Sequence, residues 1–327
     1  MEKRPFIIDC DTGTDDAIAI LAALGSDAIR VRALTSVNGN VNENFTSRNN
    51  RDLVGYLGAD VEVARGAKIP FYPRAGYYDA THGSEGLGDV TLPAAENVPF
   101  TKETAPELIR RIAEEEEGRL ELLVVGPMTN IAIALSMYPE LKEKIRHIWF
   151  MGGAALGGNM TPTAEFNIWV DPVAAKLVIA SGIPMTMVGL DVTRKIVLTP
   201  DILEYMCCVN PQMGERIRNI TRFYFDFHWK QEGIIGCVIN DPLAVAYFID
   251  RTLCSGMEAC TRIATEGLCI GQSVVDRFDF WKGHKNSYIL TRTSPLSFMQ
   301  MFFDRVLGVP DKTSLPMLEQ IMKGDVL

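Results

Sequence analysis

The chain has no long hydrophobic run, no cluster of basic residues, no CxxC pair and only 4 histidines among its 327 residues. Each scarcity closes a class of function. No apolar stretch reaches the roughly 18 residues that a membrane-spanning helix requires. The opening, MEKRPFIIDCDTG, carries basic residues without the apolar segment of a signal peptide, so neither a membrane span nor a secretory leader is expected. Asp and Glu outnumber Lys and Arg by 41 to 32, a net charge of −9. Phosphate backbones are bound by clustered cations, so this balance argues against a nucleic-acid partner and suits a protein that gathers carboxylates around a cation. The 7 cysteines, Cys207 and Cys208 adjacent among them, lack disulfide-framework spacing and read as reduced thiols of a cytoplasmic protein. Repeats and low-complexity segments are absent, apart from an acidic run at 114–117 that reads as a solvated helix end.

What is present is apolar material for a sizeable core: 47% hydrophobic against 22% charged residues. From Pro5 to about Val192, short β-rich runs (6–9, 31–37, 61–64, 120–125, 145–153 and 184–192) alternate with helical patterns (15–24, 42–57, 129–137 and 171–181). Gly25, Gly58 and Gly182 stand where C-terminal helix caps belong. Near-continuous apolar strands alternating with helices imply an α/β fold with an open, mostly parallel, Rossmann-like sheet flanked by helices on both faces. The last third holds helical segments (199–206, the stretch before Gly233, and 241–249), then strand-like runs at 261–267, 272–278 and 287–293. No linker precedes them, so they read as an extension of the same body, and residues 1–327 as one domain. Two long loops rich in Gly, Pro and aromatics, 66–100 and 154–168, are candidates for functional segments.

The first strand runs directly into Asp9-Cys10-Asp11-Thr12-Gly13-Thr14-Asp15-Asp16. Four carboxylates in eight residues lie at the carboxyl end of a buried strand, where α/β sheets place their ligands. Asp15 could simply cap the following helix, and the others could be surface charges. Such density is repulsive unless a cation compensates, and hard oxygen donors without a His or Cys cluster point to Ca2+ or Mg2+ rather than zinc. A phosphate-binding P-loop is ruled out, because no GK[ST] follows and the acidic turn repels phosphate.

Asp9 through Ala17 resembles the DxDxGxDDA signature of the inosine-uridine-preferring nucleoside hydrolase family. Val37-Asn38-Gly39-Asn40, His82-Gly83-Ser84-Glu85-Gly86-Leu87-Gly88, Gly126-Pro127-Met128-Thr129-Asn130, Met151-Gly152-Gly153, Glu165-Phe166-Asn167, Asp171-Pro172 and Asp241-Pro242 follow in the family's order. The resemblance spans about residues 5–250, and its strength lies in the combination. It implies a nucleoside hydrolase fold and a small-molecule ribonucleoside substrate cleaved to free base and ribose. It also implies a homo-oligomer, dimer or tetramer, with no nucleic-acid or membrane partner. By the same resemblance Asp11, Asp16, Asp241 and the carbonyl of Val125 hold Ca2+, and Asp11 is also the general base on water. Asp15, Asn40, Asn159, Glu165, Asn167 and Asp241 grip the ribose, with Met151 packed on it. Those residue types suit the chemistry, because an oxocarbenium-like ribosyl cation is stabilised by surrounding anionic and amide oxygens. Such a grip rejects a sugar lacking the 2′-hydroxyl, and nucleotides are expected to be poor substrates because nothing basic is seen near the acidic site.

Read without the family, several of these residues have plainer roles. Asn40 and Asn159 sit beside glycines as turn residues do, Glu165 could be a surface charge, and Asp171-Pro172 suits a helix start. His82, in a Gly-rich loop, is a candidate for base recognition or proton transfer, whereas His147 and His284 have no such context. The run 222–229 reads as an amphipathic helix with an aromatic face, from which Phe227 or His228 could reach the leaving group. One position departs from the family pattern: Asn240 precedes Asp241-Pro242 where the family usually has a histidine implicated in leaving-group activation. An amide cannot supply a proton, so three routes stay open: His82 or His228 takes over, ribose activation suffices, or Asn240 binds a base without N7. The last would make the substrate a modified nucleoside, such as a 7-deazapurine (queuosine-type) riboside in base salvage, rather than one from ordinary purine or pyrimidine salvage. A calcium-dependent nucleoside-binding protein without catalysis is disfavoured by the intact Asp11. A dehalogenase-like phosphatase leaves His82, Asn167 and Asp241 unexplained.

Overall fold

The computed structural model describes residues 3–73 and 81–324, so residues 74–80 of the first long loop lie outside the described residues. Nine strands form one sheet in the order β10-β9-β11-β6-β5-β4-β1-β2-β3. They are β1 (Arg4–Cys10), β2 (Ile29–Ser36), β3 (Glu62–Ala64), β4 (Leu120–Val124), β5 (Ile145–Met151), β6 (Met185–Val188), β9 (Cys254–Ile263), β10 (Ser273–Asp276) and β11 (Ser287–Thr293). From β3 across to β11 all neighbours pair in parallel, and β9 runs antiparallel to both β11 and β10. Two short strands, β7 (Val197–Leu198) and β8 (Cys237–Val238), form a separate antiparallel pair. The mostly parallel α/β architecture expected from the alternating pattern is therefore observed.

The sheet is apolar on both faces because helices cover both. Along β1, Phe6, Ile8 and Cys10 enter one core, while Ile7 enters the other. Much of the first core comes from α1 (Thr14–Gly25), α10 (Pro211–Glu232), α11 (Asp241–Ile249) and α12 (Pro295–Arg305). The second is filled from α3 (Ala105–Glu115), α4 (Thr129–Met137) and α7 (Pro172–Ile179). The remaining helices are α2 (Glu43–Leu57), the short α5 (Leu141–Lys144), α6 (Phe166–Val170) and α8 (Leu190–Thr193), then α9 (Pro200–Val209) and α13 (Asp311–Ile321).

Three local expectations need correction. Gly25 is the last residue of α1 rather than a left-handed cap, whereas Gly58 does end α2 at φ +62°. The apolar run 184–192 is not one strand. Its strand ends at Val188 and α8 begins at Leu190, because a Cβ on Gly189 would stand 2.8 Å from the Gly153 carbonyl oxygen and only glycine lets the chain turn there. The strand expected to begin at 261 begins at Cys254 and ends at Ile263.

The sheet reverses its winding between β1 and β4: β1 is followed outward by β2 and β3 on one side, and β4, β5 and β6 continue on the other. A crevice opens at such a switch point, at the carboxyl ends of the strands. Asp9, Asp11 and Val125 stand there.

Candidate active site

The site is built on the turn from β1 into α1. Gly13 is the N-cap of α1, and its N–H donates to Asp16 Oδ2 at 2.9 Å, so the carboxylate reaches back over the first turn. Positive charge at a helix N-terminus favours carboxylates there. Asp15 is thereby free of the capping role it could have filled. Its Oδ2 accepts from both the backbone N–H and the side-chain Nδ2 of Asn240, each at 3.3 Å, and its Oδ1 lies 4.0 Å from His82 Nδ1.

Asp11 lies beneath, 1% exposed. Its Oδ2 accepts the Asn40 N–H at 2.7 Å, while its Oδ1 and Asp16 Oδ1 are buried without a hydrogen-bond partner. Asn40 Nδ2 also donates to Asp16 Oδ2 at 3.1 Å, tying the second loop to the first helix. Glycine shapes this cradle: a Cβ on Gly39 would sit 2.0 Å from Asp11 Oδ2, and one on Gly126 would sit 2.8 Å from Oδ1. Below Asp11, Asp9 is held by Thr35 Oγ1 at 2.5 Å and Asn130 Nδ2 at 2.7 Å. The Asn130 of the GPMTN motif is thus a support for the turn and does not line the pocket.

Burial and mutual repulsion drive these carboxyls upward. Burial and then the Asp16 charge raise Asp11 well above the usual carboxylate range, while burial and the Asp15 charge raise Asp16 to about 8. Asp241 is raised by burial and by Asp15, Asp16, Asp11 and Glu165. Oxygens of Asp15, Asp16 and Asp241 lie within 4.8 Å of one another. Buried acids this close, with Asp16 Oδ1 and the neighbouring Asp11 Oδ1 orphaned, fit a bound cation, since a buried charge is tolerated when paired or when it coordinates a metal. Asp11 belongs to the same electrostatic cluster, though not to that closest trio.

A pocket opens over the cluster, lined by Asp15, Asn40, His82, Val125, Met151, Asn159, Glu165, Asn167, His228, Asn240 and Asp241, among others. Every ribose-gripping and base-side residue expected from the motifs therefore meets in one cavity, with Asp11 and Asp16 behind its wall. Glu165 is the N-cap of α6, accepting from Asn167 N at 3.0 Å and Ile168 N at 3.3 Å, and it also takes Gly153 N at 2.8 Å. Burial pushes it to about 7, so it is not the surface charge it could have been. Asn167 Nδ2 donates to the carbonyl oxygens of Val125 at 2.9 Å and Met151 at 3.2 Å. Asn159 stands exposed at the rim, its Oδ1 accepting Phe166 N at 2.9 Å.

On the base side, the loop 82–88 carries left-handed glycines at 83, 86 and 88, and Gly88 N bonds back to the His82 carbonyl at 2.8 Å. This closed loop presents His82, whose Nδ1 accepts Thr14 N at 3.1 Å, so the neutral ring carries its proton on Nε2. His228 bonds through Nδ1 to Tyr224 O at 3.0 Å, one turn back on α10. His147, by contrast, stacks on Trp149 away from the site and is lowered to about 4 by burial and by Arg251 and Arg146. Asp171 caps α7, as expected of a helix start, and holds Thr129 Oγ1 and Phe71 N, each at 2.8 Å. Sequence reasoning missed Tyr224, Arg194 and Glu232, all of which line the pocket. Tyr224 lies against His82 with ring centroids 5.0 Å apart and planes tilted by 30°, and it carried a readable signal: it stands four residues before His228, on the same helix face. Arg194 also corrects the expectation that nothing basic approaches the acidic site.

The model of the family described as inosine-uridine preferring nucleoside hydrolase matches residues 6–300. The chain belongs to this family. Among its curated relatives, the pyrimidine-specific ribonucleoside hydrolase RihA of Escherichia coli O1:K1 is 35% identical over 305 residues, covering 92% of this chain and 98% of that protein. The Salmonella typhi RihA is 35% identical over 306 residues. The fold matches a purine-preferring ribonucleoside hydrolase from Gardnerella vaginalis with a TM-score of 0.87 at 32% identity, covering 93% of this chain and 98% of that one. It also matches the plant nucleoside hydrolase PpNRh1 with a TM-score of 0.89 at 26% identity, covering 93% and 99%. This nucleoside hydrolase is accordingly an enzyme that hydrolyses ribonucleosides, with a buried aspartate cluster able to hold a metal ion. No helix among the described residues is long and apolar enough to cross a membrane.

Proposed function

We propose that the enzyme is a calcium-dependent hydrolase of the N-glycosidic bond of ordinary ribonucleosides, working in the cytoplasm. The observation that carries this reading is the buried aspartate cluster with orphaned Asp11 and Asp16 oxygens beneath a pocket lined by Asn and acidic side chains. Asp11, Asp16, Asp241 and the Val125 carbonyl would hold the ion, with Asp15 within reach of it. A hard divalent cation in that place supplies an anchor for hydroxyl oxygens and lowers the pKa of nearby water.

The chain's own groups perform the rest. Asp15, Asn40, Glu165, Asn167 and Asp241 bind the ribose hydroxyls, and Met151 packs on the sugar. The C1′–N bond breaks with its electron pair going to the base, and the ribosyl cation left behind is stabilised by the surrounding carboxylates. A water oxygen then bonds to C1′ and gives its proton to Asp11. The base takes up one proton, so nucleoside and water become ribose and free base. Seven cysteines without a disulfide support the reducing compartment. Exposed Leu268, Phe278 and Phe280 support assembly as a dimer or tetramer, which light scattering on the purified protein checks.

The test is release of reducing sugar from uridine, cytidine, inosine and their 2′-deoxy counterparts, with calcium and with chelator. Ribonucleosides should be preferred by up to about four powers of ten, because the deoxy sugar leaves several buried groups unpaired. Chelation should abolish turnover. Equal rates on both sugars, or full activity in chelator with no bound metal, would refute the reading.

A further inference from the structure

The pocket is electrically polar from floor to mouth. At the floor stand the acids Asp15, Asp241 and Glu165, only 4%, 3% and 3% exposed. At the mouth stands Arg194, the one Arg or Lys among the described residues lining the cavity. It follows directly on α8, its side chain is 45% exposed, and its Nη2 lies 3.0 Å from Oε2 of Glu232, the last residue of α10. Phe227 and Leu190 also line the cavity, offering apolar surface to a flat base.

Heterolysis of a nucleoside creates charge of both signs. The positive charge appears on the ribosyl carbon, which the floor is built to receive. The negative charge appears on the departing base, and in an oxo-base such as uracil or hypoxanthine it spreads to the exocyclic carbonyl oxygen farthest from the glycosidic nitrogen. With the ribose gripped at the floor, that oxygen points towards the mouth. The usual alternative, protonating the base as it leaves, is not available from Asn240. An amide has no acidic proton, and Asn240 Nδ2 already donates to Asp15 while its Oδ1 is buried without a partner.

We propose that Arg194 is a catalytic residue that stabilises the departing base as an anion, through its distal oxygen, in place of protonation. This rests on the hydrolase reading and deepens it. The C1′–N electron pair leaves with the base, the guanidinium donates to the distal oxygen as charge arrives there, and the released anion takes its proton from solvent afterwards. Glu232 holds the guanidinium at the mouth when no base is present. Substrates with a distal oxo group are favoured, because an exocyclic amine offers no atom on which the charge can meet the guanidinium.

The test compares uridine with 4-nitrophenyl β-D-ribofuranoside, whose leaving group disperses its own charge and needs little help. In Arg194→Gln, the ratio of uridine kcat to nitrophenyl riboside kcat should fall by about a hundredfold, the lower end of what removing one preorganised electrostatic donor costs. Arg194→Lys, which keeps the charge without the fork, should hold the ratio within about fivefold of the parent. An equal fall on both substrates, an unchanged ratio, or a lysine variant as impaired as the glutamine variant would overturn the proposal. Turnover of the nitrophenyl riboside reports that each variant is folded. A parent enzyme that releases ribose from neither substrate would instead overturn the hydrolase reading beneath it.

Discussion

At the scale of the residue, the proposed chemistry converges on Asp11. One of its oxygens is fixed by the Asn40 N–H and the other is buried without a partner, the state of a base held still and left able to accept. Asp11→Asn keeps the shape and removes the base, so kcat should drop by roughly two to four powers of ten. Metal content measured on the same variant separates loss of the base from loss of the ion, and near-parental turnover with metal bound would exclude the assignment. Asp11, Asp15 and Asp16 were legible because four carboxylates crowd eight residues at the end of an apolar strand, whereas Asn40 and Asn167, uninformative by themselves, were legible only through the order of the family's motifs. Arg194 and Glu232 were not. One follows a four-residue helix and the other ends a 22-residue helix, where charged residues are ordinary; only the fold, which brings the two helix ends to one cavity, pairs them.

At the scale of the element, the β1–α1 turn was readable because the apolar strand, the acidic loop and the helix start are contiguous. Of helix α3 only its end, in the acidic run at 114–117, was read, although the signals of its start and body were present. Thr104 and Glu107 form a capping box, and Leu108, Ile109 and Ile112 are buried on one face. The long irregular segment before it broke the strand–helix rhythm on which the reading relied. The opposite error at 184–192 arose because an apolar strand and a buried helical turn share a composition, and periodicity does not separate them over so few residues. Asp171 shows how one side chain joins elements: it caps α7 through Ala174 N at 3.0 Å while anchoring Thr129 at the start of α4 and Phe71 in the first long loop. Asp171→Ala removes the cap and leaves donors unpaired, so unfolding in urea should show a loss of about 2–3 kcal/mol. A change under about 0.5 kcal/mol, the range of ordinary surface substitutions, would show that these bonds do not brace the loop.

At the scale of the whole molecule, the cost of gathering acids in the crevice appears as a dependence of stability on pH and metal. Asp9 and Glu165 are raised to about 7 and Asp16 to about 8, all chiefly by burial. The unfolded chain titrates these groups near the ordinary carboxylate value of about 4. Between those limits the metal-free folded state therefore binds more protons than the unfolded state. By linkage its stability falls as pH rises through that window, opposite to a protein whose acids are salt-bridged. On the calcium reading proposed above, the ion would reverse the sign, because it would bind the deprotonated carboxylates and offset their repulsion more fully as protons leave. Thermal unfolding at about pH 5.5, 7 and 8.5, in chelator and in excess calcium, should show a chelated protein that melts earlier with each step up, and a calcium-induced rise in Tm that grows with pH. Asp16→Asn should flatten both trends, because it removes an acid that burial and Asp15 hold at about 8. A calcium shift of the same size at all three pH values would mean that the cluster is not where the ion binds.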